Sequence, residues 1–164
     1  MKHVLGVLLT LTALVGCKKD DEASPVAPPP VTYTRVFIEQ ISIVAMPFVD
    51  GSGIAWDLAS GPDPFYTLVL NPSTVVSSTE SVYRSDITPS SLPVSWSYIQ
   101  SFEITDWNNY YYLALYDYDP TDPNDVIGAT GIFRMQDIKA GYPASYTASN
   151  TSGTILVRLT LRWQ

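Results

Sequence analysis

Ten residues next to the end of the chain alternate in polarity, and this alternation limits what the chain can fold into. In residues 154–163 every odd-numbered position is apolar, whereas the even-numbered positions include Arg158 and Arg162. A period of two residues is typical of a β-strand with one buried face. No segment that follows the N-terminal leader has a helix-length period. The pattern therefore predicts a fold built from strands.

Five further segments are rich in β-branched and aromatic residues, and turn-forming residues separate them. These segments are 35–44, 65–70, 101–105, 110–118 and 127–133. Asp106–Asn109 is predicted to be a hairpin connection, and residues 134–140 a short helical turn ended by Gly141. The glycines of 127–133 indicate close packing or a bulge. Many short strands with such turns predict an all-β domain, an antiparallel β-sandwich of about eight strands over residues 33–164.

Residues 1–16 are predicted to be a signal peptide. Lys2 and His3 precede an uncharged apolar run, Val4–Val15, which is too short to span a bilayer comfortably. Cys17 is the only cysteine, and its position resembles that of the lipidated cysteine in a bacterial lipobox. Lipidation there would give stable membrane anchoring. Ordinary cleavage, with an incidental thiol at this position, is the alternative.

Residues 17–32 are predicted to be a flexible tether. The run Lys18–Glu22 resembles the lysine-plus-acidic export signal of surface lipoproteins in the Bacteroidetes. Pro25 and Pro28–Pro30 favour a semi-extended spacer. The resemblance implies a lipid-anchored protein of the bacterial outer membrane that is exposed at the cell surface, with the periplasmic face as the alternative.

Composition excludes several classes of function. The formal charge is −7 and no basic stripe is present, which argues against a nucleic-acid partner. The only histidine, His3, leaves with the signal peptide, so neither a Ser-His-Asp arrangement nor a histidine zinc site remains. Any metal must then be held by oxygen. We predict that the protein is not an enzyme, although a glycosidase using two clustered aspartates is an alternative.

Two acidic stretches share one spacing. Asp57 and Asp63 are six positions apart, as are Asp119 and Asp125, and each pair straddles a turn beside a predicted strand. Residues 117–125 contain four aspartates, namely Asp117, Asp119, Asp122 and Asp125. Two carboxylates ~4 Å apart repel by roughly 4 kcal/mol at an intermediate dielectric. Calcium, which takes about 6–8 oxygen ligands, reverses the sign of that interaction. Solvated acidic turns are the alternative for either stretch alone.

The two stretches resemble the first and third calcium-binding loops of the C2 domain, the calcium- and phospholipid-binding module of protein kinase C and synaptotagmin. Asp57 and then Asp63-Pro64-Phe65 match the first loop, with Phe in place of Tyr; Asp117-Tyr118-Asp119 and then Asp125 match the third. The resemblance spans roughly residues 33–164. It implies a C2-like β-sandwich that binds calcium through Asp57, Asp63, Asp117, Asp119 and Asp125. Asp122 and the backbone carbonyls of Trp56 and Tyr118 are implied as further ligands.

The resemblance also implies a calcium-dependent partner, which would be an anionic phospholipid, a glycan or a protein. A lysine-rich strand for phosphoinositides is not evident, because Lys139 is the only lysine after the tether. The alternative function is calcium-independent binding of carbohydrate or protein by a β-sandwich with a structural metal. A sugar platform would then come from Trp56, Tyr98, Trp107, Tyr110, Tyr111 and Tyr112, for which core packing is the competing explanation.

Overall fold

A computed structural model describes residues 31–57 and 60–164 of the chain. The predicted signal peptide, Cys17 and most of the predicted tether lie outside the described residues and stay predictions. Residues Thr32–Gln164 form one compact unit. Among the residues described, no helix has the length and apolar character needed to cross a membrane.

Eight strands and one short helix make up the described part of the chain. They are β1 (Val36–Ala45), β2 (Pro64–Leu70), β3 (Thr74–Ser78), β4 (Val94–Ile104), β5 (Tyr111–Asp117), β6 (Asp125–Ala129), α1 (Met135–Ile138), β7 (Ser145–Ser149) and β8 (Leu156–Trp163). One sheet has the order β4-β1-β8-β7 and the other β3-β2-β5-β6. All pairings are antiparallel. The predicted all-β antiparallel sandwich is confirmed, and so is the helical turn before Gly141.

The core lies between the two sheets, because alternating residues of the central strands face inwards. In β8, Val157, Leu159 and Leu161 are buried, as the alternation predicts. From the other sheet, Leu113 and Leu115 of β5 are fully buried. Burying one such side chain contributes about 1.5–3 kcal/mol, so this double apolar layer stabilises the domain.

The predicted hairpin at Asp106–Asn109 is wrong. The backbone does turn there, since the Asn109 N–H donates to the Asp106 carbonyl at 3.3 Å. However, β4 before the turn pairs with β1, whereas β5 after it pairs with β2 and β6. The segment therefore crosses from one sheet to the other. The Trp107 ring packs edge-on against Trp163 with centroids 5.5 Å apart, which anchors the crossing.

Gly128 explains the irregularity of β6. Its φ is +145°, and a Cβ at this position would lie 2.6 Å from the Ile155 Cδ1. The β5–β6 register also shifts between Leu115 and Tyr116. Close packing and a bulge are thus both present, as the glycines indicate. The strand predicted over 127–133 is shorter than expected, because β6 ends at Ala129.

The two ends of the sandwich have different roles. At one end β2 begins, β5 ends and β6 begins, and this edge carries Asp63, Asp117 and Asp125. At the other end β5 begins, and the N–H groups of Thr34 and Arg35 donate to the Gln164 carbonyl at 2.8 Å. The chain therefore enters the domain at the end opposite these aspartates, with the length of β5, roughly 20 Å, between the two.

Candidate metal centre

Strand register brings the two predicted acidic loops to one edge of the second sheet. Pro64, which follows Asp63, is the antiparallel partner of Asp117, and Asp117 is in turn the partner of Asp125. The two loops are therefore adjacent although they are far apart in the sequence. We call the cluster of Asp57, Asp63, Asp117 and Asp119 the acidic rim.

Backbone hydrogen bonds fasten the loops to each other. The Asp63 N–H donates to Oδ1 of Asp117. The Tyr118 N–H donates to the Asp63 carbonyl at 3.1 Å, so the two chain segments are joined in both directions. The rings of Tyr118 and Tyr83 stack at 4.2 Å between centroids and support the second loop from outside.

Asp117 is the most buried carboxylate of the acidic rim. It follows the inward-facing residues Leu113 and Leu115 along β5, and only 1% of it is exposed. The pKa of Asp117 is raised to about 6. Burial is the largest cause, the hydrogen bond from the Asp63 N–H opposes it, and the neighbouring charges of Asp57, Asp119 and Asp63 add to the rise. Strand alternation thus forces a carboxylate to the edge of the apolar core.

Asp57 is close enough to the other carboxylates to feel their charge. Burial raises its pKa first, followed by the charges of Asp63, Asp119 and Asp86. Two of these neighbours, Asp63 and Asp119, also raise the pKa of Asp117, so the same charges act on both carboxylates. Residues 58 and 59, which follow Asp57, lie outside the described residues.

Asp86 is a member of this environment that the sequence analysis missed. Its backbone N–H donates to Oδ1 of Asp63 at 2.7 Å, and its φ is +54°. The flanking N–H groups of Arg84 and Ile87 donate to the carbonyls of Pro64 and Pro62. A third segment therefore lies along the first acidic loop. No local pattern marks Asp86, because only tertiary contacts bring it there.

The second acidic loop closes through an asparagine. The Asp119 N–H donates to Oδ1 of Asn124 at 3.0 Å, and Asn124 Nδ2 donates to Oε1 of Glu80 at 2.7 Å. Glu80 starts a single 3-10 turn, Glu80–Val82, after β3. The loop is therefore held against a segment that the sequence does not connect with it.

The remaining predicted ligands stay predictions, and Asp125 lies beside the acidic rim as the strand partner of Asp117. Asp122 and Asp125 are exposed. Neither is among the charges that raise the pKa of Asp57 or Asp117. Asp125 instead lines a neighbouring pocket of about 570 Å³ together with Asp50 and Trp56. The Trp56 indole N–H donates to the Pro47 carbonyl at 3.1 Å. The predicted ligand roles of the Trp56 and Tyr118 carbonyls stay predictions.

Among the described residues, no group of three or more acidic side chains is already arranged to hold a metal ion. Two rim carboxylates are instead engaged by backbone, since Asp117 accepts from the Asp63 N–H and Asp63 accepts from the Asp86 N–H. The donor set nevertheless fits a hard cation, because it consists of carboxylate oxygens alone. Side-chain rotation within the acidic rim would be needed to complete a shell.

The aromatic residues of the alternative sugar platform are not brought together. Tyr111 is buried in the core, whereas Tyr110 is exposed. Trp107 packs against Trp163 at the end opposite the acidic rim, and Tyr98 lies beside Tyr66. Packing within the domain therefore accounts for most of these aromatic residues.

Comparisons with known proteins give the fold. A C2 domain of plant extended synaptotagmin 1 superimposes with a TM-score of 0.47 and 14% identity, over 82% of this chain and 98% of that one. The TM-score is 0.50 and the identity 14% for human GIVD cytosolic phospholipase A2 in complex with methyl gamma-linolenyl fluorophosphonate inhibitor and terbium chloride. The domain has a C2-like fold. The match covers 81% of this chain but only 18% of the phospholipase.

A C2 domain protein from Ramazzottius varieornatus is also similar to the C2-like domain, at 11% identity and a TM-score of 0.41, over 79% of this chain and 89% of that one. No family model and no curated protein sequence matches the chain. The predicted resemblance to C2 domains is thus confirmed at the level of the fold. The acidic rim belongs to one end of this C2-like domain, between strands β2, β5 and β6.

Proposed function

We propose that the acidic rim binds calcium and that the loaded rim binds an anionic partner. One observation supports this most strongly. The two acidic loops, predicted separately, lie against each other through the hydrogen bond from Asp63 to Asp117. Several carboxylates therefore share a partly buried space, where their mutual repulsion is large in the absence of a cation.

Calcium fits the donor set. It accepts about 6–8 oxygens at ~2.3–2.6 Å in a tolerant geometry, whereas magnesium requires a stricter octahedron. Asp57, Asp63, Asp117 and Asp119 would hold the ion, and Asp125 would join them after a movement of its loop. Asp86 adds negative charge beside the site. Calcium would supply positive charge that cancels this repulsion.

Charge also explains how binding a partner would follow. The calcium-free rim repels anions because its carboxylates are concentrated at one end of the domain. One or two calcium ions would shift the local potential towards neutral or positive, so that an anionic group can complete the coordination shell. A phospholipid phosphate, a glycan carboxylate and an acidic protein side chain all have the required chemistry.

We further propose that the protein is a lipoprotein of the outer membrane, attached through Cys17 and the tether of residues 17–32. The chain enters the domain at the end opposite the acidic rim, where Thr34 and Arg35 bond to Gln164. The tether would therefore join the domain at the end opposite the acidic rim. Attachment at that end would leave the rim free for a partner other than the anchor itself.

Calorimetric titration of the purified protein with calcium and with magnesium tests the metal proposal. We expect a calcium dissociation constant of about 10⁻⁴–10⁻³ M, as in extracellular modules, and a smaller response to magnesium. Asp119→Asn should abolish calcium binding. Asp106→Asn is the matched control, because Asp106 lies in the crossing segment and its side-chain oxygen can still accept the Asn108 N–H. The absence of calcium binding by the unaltered protein would overturn the proposal.

Co-sedimentation with vesicles tests the partner. Vesicles of anionic phospholipid should bind the protein in calcium and release it on addition of a chelator, whereas vesicles of neutral phospholipid should not bind. If calcium binds but vesicles do not, a glycan or protein partner is favoured. Partner binding that persists in Asp119→Asn and in chelator would favour the calcium-independent alternative.

A further inference from the structure

A second pocket opens at the side of the sandwich, and none of the predicted calcium ligands lines it. It has a volume of about 480 Å³ and lies between β3 and β4, which are edge strands of the two different sheets. Eight of its ten lining residues bear a hydroxyl, amide or guanidinium group, and none is acidic. We call it the lateral pocket. Its size is within the range of about 300–1,000 Å³ that is usual for small-molecule sites.

A large bulge in β4 shapes one wall of the lateral pocket. Gln40 pairs with Ser97 and Ile38 with Phe102, so residues 98–101 of β4 lie opposite Glu39 alone. Bulges at sheet edges bend the strand and redirect side chains, and they are frequent beside functional sites. This one places Tyr98 and Gln100 in the wall of the pocket.

A chain of three hydroxyl groups runs from the core into the lateral pocket. The Tyr66 hydroxyl, whose side chain is fully buried, donates to the Tyr98 hydroxyl at 2.8 Å, and the Tyr98 and Ser77 hydroxyls are 2.9 Å apart. Since Tyr98 accepts from Tyr66, its own proton is available to Ser77, and the Ser77 proton is then available to a ligand. Such chains polarise their members and strengthen the terminal donor.

One cation lies at the opposite wall of the lateral pocket. The Arg84 guanidinium donates to the Ser95 carbonyl at 2.6 Å and lies 5.3 Å from the Trp96 ring centroid. In the described part of the chain Arg84 forms no ion pair. A guanidinium has five N–H groups in a planar fork that matches a carboxylate, so donors remain after the bond to Ser95.

We propose that the lateral pocket binds an acidic sugar, that is, a hydroxyl-bearing ring with one carboxylate. The Arg84 fork would take the carboxylate. Ser77, Tyr98 and Gln100 would donate to or accept from the ring hydroxyls, while the exposed apolar side chain of Val82 would cover the C–H face of the ring. This site is independent of calcium and does not rest on the proposed function.

Titration of the full-length protein with glucuronate, in chelator, tests this proposal. Glucose is the matched neutral sugar, and acetate is the matched carboxylate without a ring. We expect glucuronate to bind at least ten times more tightly than either, with a change in the fluorescence of Trp96. The absence of glucuronate binding, or acetate binding as tight as that of glucuronate, would overturn the proposal.

Variants locate the site. Arg84→Gln should weaken glucuronate binding at least ten-fold, and Gln100→Ala should weaken it several-fold. Gln100 is exposed, so its replacement should leave the fold intact even if Arg84→Gln loosens the packing on Trp96. Arg158→Gln is the control, because Arg158 is an exposed arginine of β8 that does not line the lateral pocket. Asp119→Asn should bind glucuronate normally. If Arg84→Gln and Gln100→Ala both bound glucuronate as tightly as the unaltered protein, the ligand would lie elsewhere and the proposal would be refuted.

Discussion

The backbone N–H of Asp63 donates a hydrogen bond to the carboxylate of Asp117, 54 positions further along the chain. Antiparallel pairing of Pro64 with Asp117 sets this contact. It makes two loops, each an ordinary acidic turn in isolation, into one acidic rim. Because the rim would consist of carboxylates that repel each other without a cation, its stability and its occupancy should be coupled.

Calcium should therefore stabilise the protein against thermal unfolding. A ligand that binds only the folded state at ~100-fold excess over its dissociation constant contributes about 2.7 kcal/mol. Calorimetric melting in calcium, in magnesium and in chelator measures this effect, and magnesium should raise the melting temperature less. Equal melting temperatures in calcium and in chelator would contradict the proposed function.

Asp117→Asn should have opposite effects without and with calcium. In chelator the variant should be more stable than the unaltered protein by about 1–2 kcal/mol, because it removes a buried charge yet keeps an oxygen that can accept the Asp63 N–H. In saturating calcium the variant should be less stable than the unaltered protein, because the loss of a ligand leaves it with little or no stabilisation by calcium. Denaturant unfolding in both conditions measures the pair of values. A purely structural Asp117 would instead give a loss of stability in both.

Asp86→Asn should weaken calcium binding about 3–5-fold at low salt, because a charge near the acidic rim is lost while its predicted ligands remain. Asparagine tolerates a positive φ, so the backbone at +54° is preserved. Asp122→Asn is the comparison, since Asp122 is exposed in the second loop and should matter less. Calorimetric affinities that rank Asp122→Asn as the more harmful change would show that the assignment of Asp86 is wrong.

Gly61→Ala should destabilise the protein by about 2–4 kcal/mol. The new methyl group would overlap the backbone of Ile87 and force the segments that contain Gly61 and Ile87 apart. A Cβ at Gly61 would lie 2.0 Å from the Ile87 carbonyl oxygen. The hydrogen bonds from the Ile87 N–H to Pro62 and from the Asp86 N–H to Asp63 should weaken, and the affinity for calcium should fall with them. Gly51→Ala is the control, because a Cβ there meets nothing within 4 Å. Chemical denaturation of both variants measures the difference, and equal stability would refute this close approach.

Part of the fold could be predicted because strand alternation is a local property. The buried residues Val157, Leu159 and Leu161 follow from a period of two that is visible in the sequence. The edge strands β3 and β7 could not be predicted in this way. Most of their residues are exposed or half-buried, so no apolar period marks them.

Part of the candidate site could be predicted for a similar reason. Asp57, Asp63, Asp117 and Asp119 stand next to strand ends, and matching strand ends meet at one edge of an antiparallel sheet. Asp125 was predicted as an equal member; it is the strand partner of Asp117, but its side chain is exposed. The direction of a side chain at the start of an edge strand depends on the neighbouring loop, which the spacing does not encode.

By itself the sequence determined where most strands lie, which of their faces are apolar, and where carboxylates flank the turns, because these properties depend on neighbours along the chain. The tertiary structure alone decided that β4 and β5 belong to different sheets, that Asp86 approaches Asp63, and that the lateral pocket opens between β3 and β4. Each of these depends on pairing between residues distant in sequence, and the free energy of such pairing comes from burial and hydrogen bonds that only the assembled sandwich provides.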